Sequence, residues 1–319
     1  MKSDYHNLPY GITCIDTHYL RPQMAAAYLL VENGKAAFIE TGPLLAAQRM
    51  MTALSKAGLK PEDVDAVIVT HVHLDHAGGA GELMRQCPNA KLYVHKSGAR
   101  HLIDPAKLKA GAMAVYGEKL FKASLGDIIA VDSSRVVSPE DGQGVEIGGR
   151  ELIMIDTPGH ARHHFVIWDK KSQGIFSGDA FGISYREFDG GTMPFIFPAT
   201  TPVQLDPEHF HSSLDRIANL NPKTIYLTHY GAIPYQDNLL QTLHSQLDSY
   251  LEMAKSAQKG GQNAHNLLLT SLDNNMRNIL LEINSPIADN KIDSLLLSDK
   301  ETNAQGLEVW LARLAKKGK

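Results

Sequence analysis

Residues 70–76 read Thr-His-Val-His-Leu-Asp-His and hold three histidines and one aspartate. The stretch follows the apolar run Ala66–Val69, so we expect it to leave the C-terminal end of a buried strand. His71 and His73 alternate with apolar residues, which lets both imidazoles project to one side, and the aspartate and third histidine then turn onto a loop. Imidazole and carboxylate suit zinc and other borderline divalent ions. The stretch therefore predicts a metal site rather than a polar turn with chance histidines.

Three more apolar runs end in a metal-competent side chain, and Gly or Pro beside it permits a sharp turn. Each of these ends alone is weak evidence, because a single histidine or aspartate after a strand is usually structural. Four such strand ends together predict one site. The three runs and the residues that follow them are Leu152–Ile155 with His160, Gly174–Phe176 with Asp179, and Thr224–Leu227 with His229.

The His-x-His-x-Asp-His motif and the order of TPGH, SGD and LTHYG resemble the metallo-β-lactamase-fold hydrolase superfamily over about residues 10–235. The resemblance implies an α/β fold, a four-layer αββα sandwich with metals at one edge. It implies two divalent ions, with zinc expected first and iron or manganese as alternatives. Carried over residue by residue, His71, His73 and His160 would hold the first metal, Asp75, His76 and His229 the second, and Asp179 would bridge both.

The chemistry implied by this resemblance is hydrolysis. Two divalent ions about 3.5–4 Å apart can share one water, and a single zinc already lowers the pKa of its water to about 7. A bridging hydroxide would then attack a small ester, lactone or thioester. Asp75 would also hold or shuttle the proton, so Asp75 and Asp179 are the predicted catalytic residues. The alternative is a regulatory or binding protein that keeps a metal site with weak hydrolase activity, and iron would open a third route, oxygen chemistry.

Differences from related enzymes narrow the range of possible substrates. True β-lactamases of this fold lack the aspartate at position 179, and flavodiiron oxygen reductases carry glutamate where this chain has His73. Nucleases of the fold carry large insertions or RNA-binding arms. Homoserine-lactone lactonases place a tyrosine at the position of Gly182, and glyoxalase II uses a basic patch that we do not identify. Residues 200–208 resemble a branch that includes a quinolone-signalling thioesterase, so lactone and thioester hydrolysis both stay open.

The organisation of the chain changes near residue 235. We expect a catalytic domain over 1–235 and a C-terminal helical appendage over 236–319, with apolar residues at helical spacing over 239–254 and 268–280, and a third helix from Glu301 into the basic end. The apolar stripes must be buried against the sandwich, over the active site, or in a homodimer interface. The aromatic segment Phe181–Pro207 forms either an apolar wall for the substrate or ordinary packing, including contact with these helices.

Composition and hydropathy argue against nucleic-acid and membrane partners, while the resemblance implies a small-molecule substrate. The net charge of −4 argues against nucleic-acid and anionic-membrane binding, which need a basic surface. The longest apolar run, Met24–Val31, is far shorter than the ~20 residues of a membrane span. The N-terminal residues lack the apolar core of a signal peptide, and two cysteines, Cys14 and Cys87, fit a reducing cytoplasm as free thiols. A cytoplasmic location is therefore expected.

Overall fold

The structure is a computed structural model that describes residues 4–317, without the side chains of residues 115, 116, 120 and 317. The end of the predicted basic terminus, Gly318 and Lys319, lies outside the described residues. The chain forms two compact units, each of which is discontinuous in sequence. The predicted division at residue 235 stays a prediction. The first unit holds residues 4–156, 163–178 and 221–234, and the second holds residues 157–162, 179–220 and 235–317.

The first unit contains both sheets. In the seven-stranded sheet, β1–β4 are antiparallel neighbours and β4–β7 are parallel, in chain order. The six-stranded sheet has the order β13-β12-β11-β10-β9-β8, and its only parallel pair is β11 with β12. The strands are β1 Tyr5–Leu8, β2 Ile12–Asp16, β3 Ala26–Glu32, β4 Lys35–Ile39, β5 Val64–Ile68, β6 Lys91–Tyr93, β7 Val136–Val137, β8 Gly144–Ile147, β9 Arg150–Asp156, β10 Phe165–Asp169, β11 Gly174–Gly178, β12 Thr224–Leu227 and β13 Gly231–Pro234.

The two sheets pack face to face in the first unit. The side chain of Tyr28, on β3, is fully buried and reaches across to the second sheet. Its hydroxyl donates a hydrogen bond to the carbonyl oxygen of Leu227, and its ring packs edge-on against Phe176, with the ring centroids 5.1 Å apart. Helices cover the other face of the first sheet, where Phe38 and Met50 belong to one buried apolar cluster. The helices of this unit are α1 Ala47–Lys56, α2 Leu74–Ala77, α3 Ala80–Gln86, α4 Lys96–Ile103, α5 Ala106–Tyr116 and α6 Glu118–Ser124.

The second unit consists mainly of long helices. The sequence Lys259-Gly260-Gly261-Gln262 predicts a break between the first two C-terminal helices, and a 3-10 turn at Gly261–Asn263 separates them. The predicted start of the third helix at Glu301 is wrong, because the helix begins at Asp289. Its buried face carries polar residues such as Asp299 and Asn303, which interrupt the apolar spacing and hide the helix from a search for periodicity. The helices are α7 Pro207–Ala218, α8 Asp237–Gln258, α9 Ala264–Glu282 and α10 Asp289–Lys317.

The aromatic segment that follows residue 180 packs against these C-terminal helices. Tyr185 is fully buried and donates to Asp299 of α10 at 2.9 Å. Thr200 is tied to Asn303 of α10 through its backbone N–H, at 2.7 Å, and its hydroxyl, at 3.0 Å. The phenylalanines at 181, 188, 195 and 197 are also buried. The packing interpretation of this segment is therefore the one that the second unit supports.

The predicted fold class is confirmed: the chain has a mixed α/β architecture with two sheets and added C-terminal helices. The sequence predicts seven strands from short apolar, β-branched runs, at Ala36–Ile39, Ala66–Val69, Leu92–Val94, Leu152–Ile155, Phe165–Trp168, Gly174–Phe176 and Thr224–Leu227. All seven form within two residues of their expected ends. The run Met24–Val31 contributes to β3, where burial on both faces explains its unbroken apolar character. No helix among residues 4–317 is both long and apolar enough to cross a bilayer.

Candidate metal centre

The histidine motif begins where β5 ends, in the first unit. The chain bends at Thr70 and His71 after the strand and then forms the single-turn helix α2, which carries Asp75 and His76. Thr70 and His71 are completely buried. A short path from strand to helix thus presents four ligand-type side chains from adjacent backbone. The motif follows the strand as predicted, but the expectation that Asp75 and His76 lie on a loop is wrong, because both lie on this turn of helix.

Asp75, His76 and His229 form one group in the first unit. One ligand atom from each of the three lies within 4.8 Å of the others. The Oδ2 atom of Asp75 is 3.2 Å from Nε2 of His229 and 3.7 Å from Nε2 of His76. His229 lies two residues after the end of β12, which places its side chain beside the motif that follows β5. The structure therefore brings together the three residues expected to share the second metal.

His71 and His73 form a second pair in the first unit. Nε2 of His71 lies 2.9 Å from Nδ1 of His73, and the two ring planes are inclined by 78°. Nδ1 of His71 is 3.0 Å from the hydroxyl of Thr70. The hydroxyl hydrogen of Thr70 points to Glu40, so the hydroxyl accepts from Nδ1 of His71. This assigns the proton of a neutral His71 ring to Nδ1 and leaves Nε2 as a lone-pair donor.

His160 and Asp179 form the pair in the second unit. Nε2 of His160 is 3.3 Å from Oδ2 of Asp179, and both side chains are almost completely buried. The loop before His160 is fixed by α7, because Ser213 donates to the carbonyl oxygen of Pro158 at 2.6 Å. Gly159 has φ +141°, and a Cβ there would lie 2.4 Å from the backbone of Phe210. Only glycine allows this approach, which explains the Pro-Gly-His sequence.

Backbone carbonyl groups set the tautomers of two of these histidines. Nδ1 of His229 lies 2.8 Å from the carbonyl oxygen of Met24, and Nδ1 of His160 lies 2.9 Å from that of Ala199. A carbonyl oxygen can only accept, so each Nδ1 carries hydrogen. The Nε2 atom of each neutral ring then offers its lone pair, and it is Nε2 that faces an aspartate. Metal-ligating histidines are commonly oriented in this way, so the donor set fits divalent ions.

Glu40 is a buried carboxylate that the sequence analysis missed. Its Oε1 atom accepts from the hydroxyl of Thr70, from Nδ1 of His76 at 3.1 Å and from the hydroxyl of Thr228 at 3.2 Å. Its Oε2 atom accepts from the backbone N–H of Thr70 at 3.2 Å. Glu40 follows β4 directly and precedes Thr41-Gly42, so the pattern that marked the other strand ends also marks this one. Glu40 orients His76 directly and His71 through Thr70.

A third group of acidic and histidine side chains, Asp4, Asp16 and His18, has a different character. Arg49 donates to Asp4 at 2.5 Å and lies 3.2 Å from Nδ1 of His18. The hydrogen bond from His18 lowers the pKa of Asp4, and Arg49 lowers it further. Asp16 accepts the backbone N–H groups of His18 and Gln23. A guanidinium already supplies the cation here, so this group is an ion-pair network.

The two buried thiols and the phenol of Tyr230 do not gain support as reactive groups. Burial raises the pKa of Cys14 and of Cys87 to about 12, so neither thiol supplies a thiolate near neutral pH. Burial also raises the pKa of Tyr230, which neighbours His229 and stays protonated. The imidazoles and carboxylates are therefore the groups of the site that can bind metal or transfer protons near neutral pH.

Gly182 explains one departure from the lactonase pattern. Its φ is +74°, and a Cβ at this position would lie 2.5 Å from the carbonyl oxygen of Phe197 and 2.7 Å from the side chain of Leu243 in α8. A tyrosine at position 182 would therefore clash with backbone and with a C-terminal helix of the same unit. The packing of the second unit leaves no room for a side chain at position 182.

Comparison with known proteins now gives the family. The model of the metallo-β-lactamase superfamily matches residues 20–229, about two thirds of the chain. The chain belongs to the metallo-β-lactamase superfamily. All seven candidate ligands lie inside this match, with His229 at its last position. The superfamily resemblance stated from the motif is thus confirmed, and so is the expected fold.

Individual relatives agree with this assignment. The chain is 31% identical, over 54% of its length and 62% of the relative's, to a metallo-β-lactamase fold-containing protein of Sulfurisphaera tokodaii. It is 27% identical, over 52% of its length and 49% of the relative's, to a hydroxyacylglutathione hydrolase of Bdellovibrio bacteriovorus. The chain thus spans less than two thirds of these curated relatives. A metallo-β-lactamase family protein of Thermus thermophilus shares the fold with a TM-score of 0.64 at 22% identity, over 98% of this chain and 95% of that one.

Proposed function

We propose that this protein is a binuclear metal-dependent hydrolase that acts on a small ester, lactone or thioester. One observation carries the proposal, and it is shared by four histidines. One ring nitrogen of each is hydrogen-bonded to a protein oxygen, and the other ring nitrogen faces a second histidine or an aspartate of the candidate ligand set. The four are His71, His76, His160 and His229. Structural histidines have no need of this repeated arrangement. The residues proposed to hold the two metals are His71, His73, Asp75, His76, His160, Asp179 and His229.

The proposed substrate class follows from the family and from the chemistry of the donor set. A hydroxyacylglutathione hydrolase is among the relatives, which favours a thioester first. When bound, two divalent ions, with zinc proposed first, would activate a water and polarise the substrate carbonyl. Because burial raises the pKa of both thiols, neither cysteine supplies a competing nucleophile. An acyl substrate therefore suits the site without a covalent enzyme intermediate.

The two aspartates take different proposed roles. The side chain of Asp75 is 21% exposed, and its Oδ2 faces both His76 and His229, so the proposed role of this carboxylate is to hold a proton and pass it to the leaving group. Asp179 is almost fully buried and faces His160 through Oδ2, and a carboxylate has two oxygens that can each bind a metal ion. Asp75 is thus the proposed proton carrier, and Asp179 the proposed bridging ligand.

Metal analysis combined with substrate screening tests this function. We expect the purified protein to hold close to two equivalents of metal and to hydrolyse thioesters, lactones or aryl esters in preference to phosphodiesters. His73→Ala and Asp179→Ala should each lose metal and turnover, whereas the control His6→Ala, on the exposed side of β1, should keep both. A clear preference for phosphodiesters would overturn the substrate class. If the variants lose metal but keep the biological effect that the wild-type protein has in the cell, the regulatory alternative would be favoured.

The other expectations remain proposals with simple tests. The two free cysteines fit a cytoplasmic location, which fractionation would check. A homodimer through the C-terminal helices would appear as twice the chain mass in solution. The division into a catalytic domain over 1–235 and an appendage over 236–319 predicts that the first part folds alone. Failure of residues 1–235 to give a stable product would count against that division.

A further inference from the structure

One peptide group links the last helix of the second unit to a proposed metal ligand. The carbonyl oxygen of Ala199 lies 2.9 Å from Nδ1 of His160, and the N–H of Thr200 donates to Oδ1 of Asn303 on α10 at 2.7 Å. The C=O of residue 199 and the N–H of residue 200 belong to the same trans peptide group. These two bonds point in opposite directions, so one rigid plane carries a hydrogen bond at each end. A continuous hydrogen-bonded chain therefore runs from α10 to the imidazole.

The side chain of Asn303 holds residue 200 firmly. The hydroxyl of Thr200 lies 3.0 Å from Oδ1 of Asn303 and 3.2 Å from its backbone oxygen. Thr200 is 0% and Asn303 1% exposed, so bulk water cannot replace these bonds. The N–H of Thr200 needs an acceptor, which fixes the orientation of the amide. Within residues 4–317 the Nδ2 atom of Asn303 meets no acceptor, so the amide oxygen is the atom that this contact uses.

Helix α10 approaches this peptide very closely. A Cβ at Gly306, one turn after Asn303, would overlap the carbonyl oxygen of Thr200. Only glycine permits this approach, although glycine is a poor helix former in the interior of a long helix. The close approach and the buried asparagine therefore belong to the same contact between α10 and residue 200.

We propose that Asn303 is a positioning residue for the metal centre, and that α10 orients His160 through the peptide between residues 199 and 200. The inference rests on the proposed role of His160 as a metal ligand. While the carbonyl oxygen holds Nδ1–H, Nε2 keeps its lone pair and faces Oδ2 of Asp179 at 3.3 Å. Rotation of the peptide plane would remove the acceptor for Nδ1, and the ring could then turn or change tautomer. The affinity of metal-binding histidines depends on such partners.

The competing explanation is that Asn303 only packs α10 against the rest of the second unit. Tyr185 offers a matched comparison, because its hydroxyl donates to Asp299 on the same helix at 2.9 Å, one turn before Asn303. Tyr185→Phe removes a buried hydrogen bond to α10 but leaves both bonds of the 199–200 peptide in place. Positioning predicts that only the Asn303 variant affects His160, whereas packing predicts that both variants act alike.

The tautomer of His160 in the metal-free full chain gives a direct readout. Long-range proton–nitrogen NMR of the neutral rings distinguishes a protonated Nδ1 from a protonated Nε2, and His160→Gln identifies the signal. We expect the wild type and Tyr185→Phe to show the Nδ1–H form. Asn303→Leu has no acceptor and should show a mixture of the two tautomers. Asn303→Asp presents a carboxylate oxygen in place of the amide oxygen and should restore the wild-type signal.

Zinc affinity gives a second readout on the full chain. In equilibrium dialysis, Asn303→Leu should bind one of the two zinc equivalents about 10-fold more weakly, the lower end of the effect of losing an outer partner. One equivalent should weaken because His160 is proposed to bind one metal. Gly306→Ala pushes α10 away from Thr200 and should act in the same way, whereas Gln305→Ala, at an exposed position of α10, should not. Circular dichroism of each variant checks the fold.

The positioning role is overturned if folded Asn303→Leu keeps both the Nδ1–H signal and the zinc affinity of the wild type. It is also overturned if Tyr185→Phe loses them to the same extent. Should Asn303→Leu fail to fold, Gly306→Ala provides the same comparison. Unchanged variants of a chain that binds two metals and hydrolyses its substrate would contradict this inference alone. A wild-type chain that binds no metal would refute the proposed function, while the tautomer signal still reports the link from α10 to His160.

Discussion

Replacing Glu40 by glutamine tests whether one buried carboxylate organises the candidate metal centre. The side chain is 1% exposed and accepts four hydrogen bonds, three on Oε1 and one on Oε2. Glutamine has nearly the same shape, but its NH₂ group cannot accept. In the better of its two orientations, three donors still meet the amide oxygen, and the backbone N–H of Thr70 faces the NH₂ group.

The structure gives the size of this effect. One bond to a charged acceptor is lost, which costs about 1.5–3 kcal/mol, and the remaining three become neutral and weaker. We therefore expect Glu40→Gln to lower the free energy of unfolding of the first unit by about 2–3 kcal/mol. Metal affinity should fall by about 10–100-fold, because His76 and His71 lose part of their orientation.

The two tryptophans allow the units to be followed separately. Trp168 lies on β10 in the first unit and Trp310 on α10 in the second. In a Trp310→Phe background, fluorescence during urea unfolding reports the first unit, and dialysis against zinc reports the affinity. The control Glu151→Gln removes an exposed ion pair with Lys170, which is worth at most about 1 kcal/mol. If Glu40→Gln matched this control in both measurements, the assignment of Glu40 as the organising acceptor would be refuted.

Three further changes test other parts of the structure. Asn303→Ala leaves the buried N–H of Thr200 without its acceptor, so urea unfolding followed by Trp310 should show a loss of about 1–3 kcal/mol, and no loss would contradict the contact. Gly182→Tyr should lower the melting temperature without adding lactonase turnover, because φ is positive and space is missing; a stable, active variant would disprove the clash. Cys14 ionises near pH 9 when unfolded and near 12 when folded, so stability falls as the pH rises between these values. Cys14→Ala should lose less stability than the wild type over that range, and equal losses would count against the shift.

The sequence predicted the strands and the candidate ligands for the same local reason. Apolar, β-branched runs bounded by Gly, Pro or Asp form strands in most contexts, and a polar residue just after such a run lies at the sheet edge. The neighbours Asp75 and His76 needed only this rule, and His229 was placed by it as well. The four edge strands β1, β7, β8 and β13 were not predicted, because exposed residues and short length weaken the alternation that marks a strand. The inner strands β2 and β3 were not predicted either.

By itself, the sequence determined the superfamily and the chemical types at the site, because the motif is contiguous and follows a strand. Only the tertiary structure decided the proton positions and the supports. The carbonyl oxygens of Met24 and Ala199 fix the tautomers of His229 and His160, and they lie 205 and 39 residues away in the chain. Every residue has a carbonyl group, so no sequence pattern marks the one that will accept. Glu40 acquires its role for the same reason, since its partners Thr70, His76 and Thr228 meet it only when distant segments pack together.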